Sequence, residues 1–245
     1  ENPWKKSLMK LIANRNIAAF QKSPVVAKTA AVRRCLEEQG VTQIETIPVG
    51  LDITQIKKDS HDRGAVCREL GLPEEKQLLL FVGRLEAYKR PFAALELLKE
   101  LGAAYYLVMI GTGSLKAELR NRIQEEGLER QISYFEKIPN RSMYQYYQVC
   151  DYYINFNTHE IFGMSILEAM YQRCTVVARR APGPEEIIEN GISGYLCATD
   201  EEMKQVILSE KKPEMGKRAE ERILTAFTWE QSARRLIEFV RSRSV

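Results

Sequence analysis

The 245-residue sequence lacks the features that mark membrane-spanning, disulfide-stabilised and metal-binding proteins. Its longest apolar runs, Leu78–Val82 and Tyr105–Ile110, are far shorter than the ~20 residues that span a bilayer. The five cysteines are widely spaced without a C-x-x-C pair, so neither a disulfide framework nor a cysteine zinc site is expected. The two histidines, His61 and His159, lack the helical spacing of a metal site. The cysteine pattern favours a reducing, cytosolic compartment.

What the sequence does contain is an alternation of apolar and amphipathic segments, with 44% apolar and 28% charged side chains. The apolar segments Leu78–Val82, Tyr105–Ile110 and Tyr152–Phe156 predict strands, and the segments between them predict helices. Strands separated by helices pair in parallel, because parallel neighbours need a long connection. We therefore predict an α/β fold with a doubly wound, Rossmann-like parallel sheet of about six strands. In such sheets ligands bind at the carboxyl ends of the strands.

Cationic residues follow the first of these strands. Arg84 comes directly after Gly83, and Lys89 and Arg90 follow within a few positions. A guanidinium can hold a phosphate through two parallel hydrogen bonds, and a lysine adds a point charge. The pattern favours a phosphate site, and the alternative is a solvated loop whose charges face water.

The second strand is followed by Gly111-x-Gly113, which begins like a dinucleotide-binding fingerprint. Lys116 stands where the third glycine of that fingerprint belongs, so a tight turn that starts a helix is the favoured interpretation. The incomplete fingerprint disfavours a nicotinamide-dependent oxidoreductase.

The segment after Tyr152–Phe156 holds the strongest candidate site. Glu160 stands in a turn, Gly163 admits a close backbone approach, and a helix is expected to begin near Ser165. Free amides at that helix start, together with the positive end of the helix dipole, would attract a diphosphate. Glu168 fits either a carboxylate that binds ribose hydroxyls or a capping box with Ser165, and the residues alone leave both open.

Together these motifs resemble those of the retaining glycosyltransferases of the GT-B fold, in glycosyltransferase family four, the glycosyl transferases group one. The resemblance rests on Phe81–Leu85 with Lys89, on Gly111-x-Gly113, and on Glu160-x-Phe162-Gly163-x-Ser165-x-x-Glu168-Ala169. The two glutamates, with seven residues between them, are the signature of that family.

The resemblance implies that the chain is mainly the C-terminal, donor-binding half of a GT-B fold. Residues 1–50 would be a remnant of the N-terminal acceptor-side domain with its hinge. Residues 51–228 would form the Rossmann-like nucleotide-sugar-binding domain, and residues 229–245 the C-terminal helix that crosses back between domains.

By the same resemblance, the protein would be an enzyme that transfers a sugar from a nucleotide-diphosphate sugar to an acceptor with retention of configuration. A UDP-sugar is the favoured donor and a GDP-sugar the alternative; no cofactor and no metal are expected, since arginine and lysine supply the positive charge. The implied catalytic residues are Glu160, Arg84 and Lys89, and the implied donor-binding residues are Gly83, Ile138, Phe162, Gly163, Met164, Ser165 and Glu168.

Two other functions remain open on the sequence. One is a fragment that binds a nucleotide sugar without turning it over, and the other is a GT-B relative such as a sugar-nucleotide epimerase. The expected acceptor is a saccharide or a lipid-linked molecule bound through the N-terminal domain, and no nucleic-acid partner is expected. Trp4–Lys22 carries five cations and reads as a basic amphipathic helix, which would permit peripheral membrane contact or pack on the N-terminal domain.

Overall fold

The computed structural model describes residues 3–56, 62–209 and 214–243. The chain begins with helix α1 (Pro3–Phe20), which leads into strand β1 (Val25–Ala27), helix α2 (Ala30–Glu38) and strand β2 (Ile44–Thr46). The strands β1 and β2 pair in parallel as a small sheet of their own. The order of residues in α1 does not separate apolar from basic positions onto two faces, so the prediction that this helix is amphipathic was wrong. Within the described ranges, no helix is long and apolar enough to cross a membrane.

The main body of the protein is a six-stranded parallel sheet, which confirms the predicted doubly wound architecture. Its strands lie in the order β5-β4-β3-β6-β7-β8, and every neighbouring pair is parallel. The strands are β3 (Gln77–Val82), β4 (Tyr105–Ile110), β5 (Ile132–Phe135), β6 (Tyr152–Asn155), β7 (Thr175–Arg179) and β8 (Tyr195–Cys197).

Helices cover both faces of this sheet. They are α3 (Arg63–Leu70), α4 (Pro91–Leu101), α5 (Lys116–Glu125), α6 (Asn140–Val149), α7 (Met164–Tyr171), α8 (Pro182–Ile187), α9 (Asp200–Leu208), α10 (Met215–Ala226) and α11 (Trp229–Arg241). Alternate side chains of a strand point to opposite faces, and in β3 both sets are buried: Leu78 and Leu80 pack in one core, Leu79 and Phe81 in the other. One core includes α3, α6, α7 and α10, and the other includes α4, α5 and α9.

Proline and glycine set the starts of two helices. Helix α8 begins at Pro182, whose fixed φ suits the first turn of a helix. Helix α7 begins at Met164, one residue before the predicted start, because Gly163 occupies the position before the helix with a φ of 100°.

The last helix, α11, joins the six-stranded domain to the segment that precedes it. Leu51 bridges Thr228 in parallel, and the Ser232 hydroxyl donates to the Pro48 carbonyl at 2.7 Å. A Cβ at Gly50 would lie 2.1 Å from the Thr228 backbone, so only glycine permits this approach. These contacts bring residues 49–52 and Trp229 to the carboxyl ends of the strands.

Candidate functional site

A cleft of about 860 Å³ opens where β3 and β4 end. Residues 82–84 and 110–112, which follow these strands, form one wall, and Met164 and Glu168 of α7 form another. The cleft is completed by residues 49–52, by residues 136–138 and by Trp229, whose side chain is 63% exposed. The predicted site residues Gly83, Arg84, Ile138, Met164 and Glu168 all line this cleft. It lies at the carboxyl ends of the strands, where doubly wound sheets bind their ligands.

Glycine lets the loops after β3 and β4 lie directly against one another. A Cβ at Gly111 would lie 1.8 Å from the Gly83 carbonyl oxygen, and one at Gly113 would lie 2.4 Å from the Leu85 carbonyl oxygen. Helix α5 then starts at Lys116. The Gly111-x-Gly113 pair thus shapes the cleft wall by backbone packing, in agreement with the tight turn favoured on the sequence.

Arg84 is the cation of the β3 loop that faces this cleft. Its side chain is exposed, and its guanidinium carbon lies 5.6 Å from the centre of the Tyr88 ring. Arg84, the residue predicted to bind a phosphate, therefore lies at the cleft. Gly83 beside it has no side chain, so the backbone there is accessible from the cleft.

Lys89 and Glu160, two of the three predicted catalytic residues, are paired with each other. The Lys89 ammonium lies 2.5 Å from Glu160 Oε2, and the two side chains are only 21% and 15% exposed. The Asn157 side-chain amide donates to the same oxygen at 3.2 Å. The pair borders the cleft of Arg84 and Glu168, since a Cβ at Gly83, which lines the cleft, would lie 3.9 Å from Lys89 Cδ.

The backbone of the Glu160 loop rests on the start of α8. The Gly183 amide donates to the Glu160 carbonyl at 2.7 Å, and a Cβ at Gly183 would lie 2.1 Å from the Phe162 carbonyl oxygen. Glu186 accepts from the Ala30 amide at 2.8 Å, so α8 also contacts the N-terminal segment. Helix α8 thus supports the loop, and its Gly183 amide is used within the protein.

The N-terminus of α7 does not carry the capping box that the sequence left open. Gly163 precedes the helix, and no side chain caps it. The Ser165 hydroxyl shares a 2.6 Å hydrogen bond with the Tyr153 hydroxyl. The capping interpretation of Ser165 and Glu168 was therefore wrong. The first backbone amides of an α-helix have no partners within the helix, so those of α7 can donate to a ligand.

Glu168 on α7 is half-buried and lines the cleft. The Tyr147 hydroxyl donates to Glu168 Oε2 at 2.7 Å. Burial raises the pKa of Glu168, and the hydrogen bond from Tyr147 partly offsets that rise. Tyr147 was missed on the sequence, because a tyrosine on the apolar face of α6 looks like any core aromatic residue.

The remaining predicted donor-binding residues divide between the cleft and the core. Ile138 is half-buried and lines the cleft, as does Met164, whose side chain is 39% exposed. Phe162 is only 7% exposed and its ring packs in the core, so donor binding by Phe162 stays a prediction that concerns its backbone. A buried aromatic ring there anchors the Glu160 loop.

Positive charge predominates on the cleft wall that carries residues 136–141. Lys137 and Arg141 line the cleft, as does Glu136, which is paired with Lys116 at 3.2 Å and Arg120 at 2.8 Å. Within residues 3–56, 62–209 and 214–243, no cluster of three histidine, cysteine, aspartate or glutamate side chains could hold a metal ion.

Residues 62–223 match the family model of the glycosyl transferases group 1. The matched segment includes the whole six-stranded sheet and the helices α3 to α9. The chain therefore belongs to the family of glycosyl transferases group 1, as its motifs predicted.

The sequence is also similar to parts of longer, curated proteins. The chain is 33% identical to a probable sucrose-phosphate synthase of Thermosipho melanesiensis, over 36% of its own length and 21% of the synthase. It is 30% identical to the mouse alpha-1,3/1,6-mannosyltransferase ALG2, over 50% of its length and 31% of that enzyme. The chain thus spans less than half the length of these curated relatives.

The fold is shared with a solved protein structure. The structure of Anabaena HepE in complex with UDP superposes with a TM-score of 0.80 at 22% identity, covering 90% of this chain and 64% of that one. This similarity confirms the GT-B architecture predicted for the six-stranded domain.

Proposed function

We propose that this chain is the donor-binding part of a glycosyltransferase that moves a sugar from a nucleotide-diphosphate sugar to an acceptor with retention of configuration. The observation that carries the proposal is the cleft with Arg84 on one wall and Glu168 on another, at the carboxyl ends of β3 and β4. The cation suits the diphosphate of a nucleoside diphosphate, and the carboxylate suits its ribose hydroxyls.

The diphosphate would lie between Arg84 and the N-terminus of α7. Negative charge grows on the leaving diphosphate as the glycosidic bond breaks, and preorganised donors aimed at that charge lower the barrier. Arg84 would supply a guanidinium, and Gly163, Met164 and Ser165 would supply backbone amides. Lys89 would add its charge while it remains beside Glu160, so no metal ion is required.

The nucleoside would extend from α7 towards residues 136–138. Glu168 would accept hydrogen bonds from the ribose hydroxyls, and the Ile138 side chain with the backbone around it would contact the base. HepE binds UDP, which supports a UDP-sugar as the favoured donor here, with a GDP-sugar as the alternative.

Glu160 would contact the donor sugar. Its carboxylate is already oriented by Lys89 and Asn157, and its loop is supported by Gly183. The acceptor would be a saccharide or a lipid-linked molecule, bound by an acceptor-side domain to which residues 1–50 belong. The reaction would take place in the cytosol. The protein would contact a membrane surface if its acceptor is a lipid-linked molecule.

Calorimetric titration of the chain with UDP, GDP and ADP, each with and without EDTA, tests the binding claim. We expect one nucleotide to bind equally well in EDTA, and Arg84→Ala to weaken it by about 100-fold, the scale for losing a charged hydrogen-bond partner. Arg33→Ala, which removes an exposed arginine paired with Glu37, is the matched control and should bind normally. Binding that EDTA abolishes would contradict the metal-free site.

A second candidate function is nucleotide-sugar binding without transfer. It is favoured by the openness of the cleft, since Arg84 and Trp229 at its rim are exposed and sugar transfer requires the exclusion of water. We expect this 245-residue chain to bind the donor and to transfer no sugar by itself. An assay of binding and transfer on one preparation distinguishes the two functions, and robust transfer would refute this candidate.

A further inference from the structure

The hydrogen bond between Tyr147 and Glu168 joins a fully buried phenol to a carboxylate at the edge of the cleft. Tyr147 is 1% exposed, and its hydroxyl lies 2.7 Å from Glu168 Oε2. Glu168 lines both the cleft and a small cavity of about 50 Å³ behind it, which Gln55 and Gln172 also border. The carboxylate therefore stands between the protein interior and the ligand space, with Tyr147 on the interior side.

We propose that Tyr147 is a positioning residue that holds Glu168 as an oriented, ionised carboxylate for the ribose hydroxyls. The inference rests on the proposed function, because it assigns the cleft to a nucleotide. Tyr147 itself touches no ligand, and it acts through Glu168. Oε2 accepts from the phenol, which leaves Oε1 and the second lone pair of Oε2 for the ribose hydroxyls.

The phenol hydroxyl, and not the ring, is what this role requires. The Tyr147 ring packs 6.0 Å from the Tyr153 ring, a contact that phenylalanine would keep. The Tyr153 hydroxyl lies 2.6 Å from the Ser165 hydroxyl and shares a hydrogen bond with it. Replacement of Tyr147 by phenylalanine would therefore preserve the packing and remove the donor alone.

Loss of that donor has a definite electrostatic consequence. A buried carboxylate without a hydrogen-bond partner favours its neutral form, so burial would raise the pKa of Glu168 further once Tyr147 no longer opposes it. A protonated Glu168 has one acceptor oxygen fewer for the ribose hydroxyls.

The other ionisable groups around Glu168 remain unchanged by this substitution. Tyr153 on β6 faces it from the sheet, and Cys174, which follows α7, acts on Tyr147 and Tyr153. The charged residues that share its cleft are Asp52, Arg84, Glu136, Lys137 and Arg141. A change in pH dependence on removing the Tyr147 hydroxyl therefore reports the one hydrogen bond.

The test is the affinity for UDP from about pH 5 to pH 9 for four proteins: wild type, Tyr147→Phe, Tyr152→Phe and Glu168→Gln. Tyr152 is the control, because it is equally buried and its hydroxyl donates to the Ile207 carbonyl on the other face of the sheet. We expect the affinity of wild type and of Tyr152→Phe for UDP to fall over the same acidic pH range. In Tyr147→Phe the pH at which affinity falls should move up by about one pH unit, with affinity recovering at high pH. Glu168→Gln should bind weakly and keep only the pH dependence that comes from the terminal phosphate of UDP.

A second measurement reads Glu168 without any ligand. Carboxyl carbon-13 NMR titration should give a higher pKa for Glu168 in Tyr147→Phe than in wild type. Equal pKa values, or a fall in affinity at the same pH in both proteins, would overturn the inference alone. Failure of the wild type to bind UDP, GDP or ADP at every pH would overturn the proposed function, and with it the assignment of Glu168 to ribose.

Discussion

Glu160 and Glu168 lie on one loop and the helix that follows it, but different partners hold their carboxylates. Glu160 pairs with the Lys89 ammonium at 2.5 Å and accepts from Asn157, so a full positive charge balances it. Glu168 is hydrogen-bonded by the neutral Tyr147 phenol, so burial acts on its charge with little opposition. One glutamate is part of an ion pair that stabilises the loop, and the other keeps a charge at a cost in stability. Removing each should therefore have opposite effects on folding.

The support beneath Glu160 should give the largest effect when it is broken. Gly183→Ala places a Cβ 2.1 Å from the Phe162 carbonyl oxygen, which forces the loop or α8 to move and should lower the free energy of unfolding by about 3 kcal/mol. Urea denaturation measures the change. Gly127→Ala is the control, because its Cβ would meet open space and only its left-handed φ of 65° adds strain. Equal losses in both variants would mean that close packing at Gly183 contributes nothing.

Removal of the lysine should be the next largest effect. Lys89→Met leaves the Glu160 carboxylate, which is 15% exposed, without its cation and should lower the free energy of unfolding by about 2 kcal/mol. The double variant Lys89→Met/Glu160→Gln should recover part of that loss, because no charge is then left without a partner. A double variant less stable than Lys89→Met would contradict the ion-pair account.

The smallest effect on stability is expected at Glu168. Burial raises its pKa in the folded state, so ionisation weakens folding above that pKa, and the cost disappears below the unfolded value. Glu168→Gln should therefore melt at the wild-type temperature or slightly above it at neutral pH, and the difference should narrow as pH falls. Its nucleotide affinity should drop by about tenfold or more.

Thermal melts and titrations of Glu168→Gln and Glu160→Gln at several pH values test this contrast directly. Glu160→Gln loses the ion pair with Lys89 and should melt at a lower temperature than wild type. A parallel fall in melting temperature for both variants would show that Glu168 also stabilises the fold.

Apolar patterning was sufficient to predict the sheet. Strand β3 was predicted within one residue, because a parallel strand buried on both faces reads as an uninterrupted apolar run. The place of the cleft was also predictable, since the topology brings Arg84, which follows β3, and helix α7, which carries Glu168, to one edge of the sheet.

The direction of side chains and the start of helices could not be predicted from spacing. The motif around Phe162 fixes its place in the loop, but the turn at Gly163 sends its ring into the core. Ser165 matched a capping box by sequence, yet Gly163 takes the capping position because its φ of 100° favours glycine. Tyr147 could not be assigned, because its partner Glu168 lies on another helix.

Above all, we expect Glu168 to bind the ribose hydroxyls of a nucleotide whose diphosphate lies beside Arg84. The most direct measurement is a calorimetric comparison of UDP with its 2′,3′-dideoxy analogue, or of the corresponding GDP pair if GDP binds more tightly, on wild type and Glu168→Gln. We expect wild type to prefer the ribose form by about tenfold and Glu168→Gln to lose this preference. An unchanged preference in Glu168→Gln would contradict this expectation.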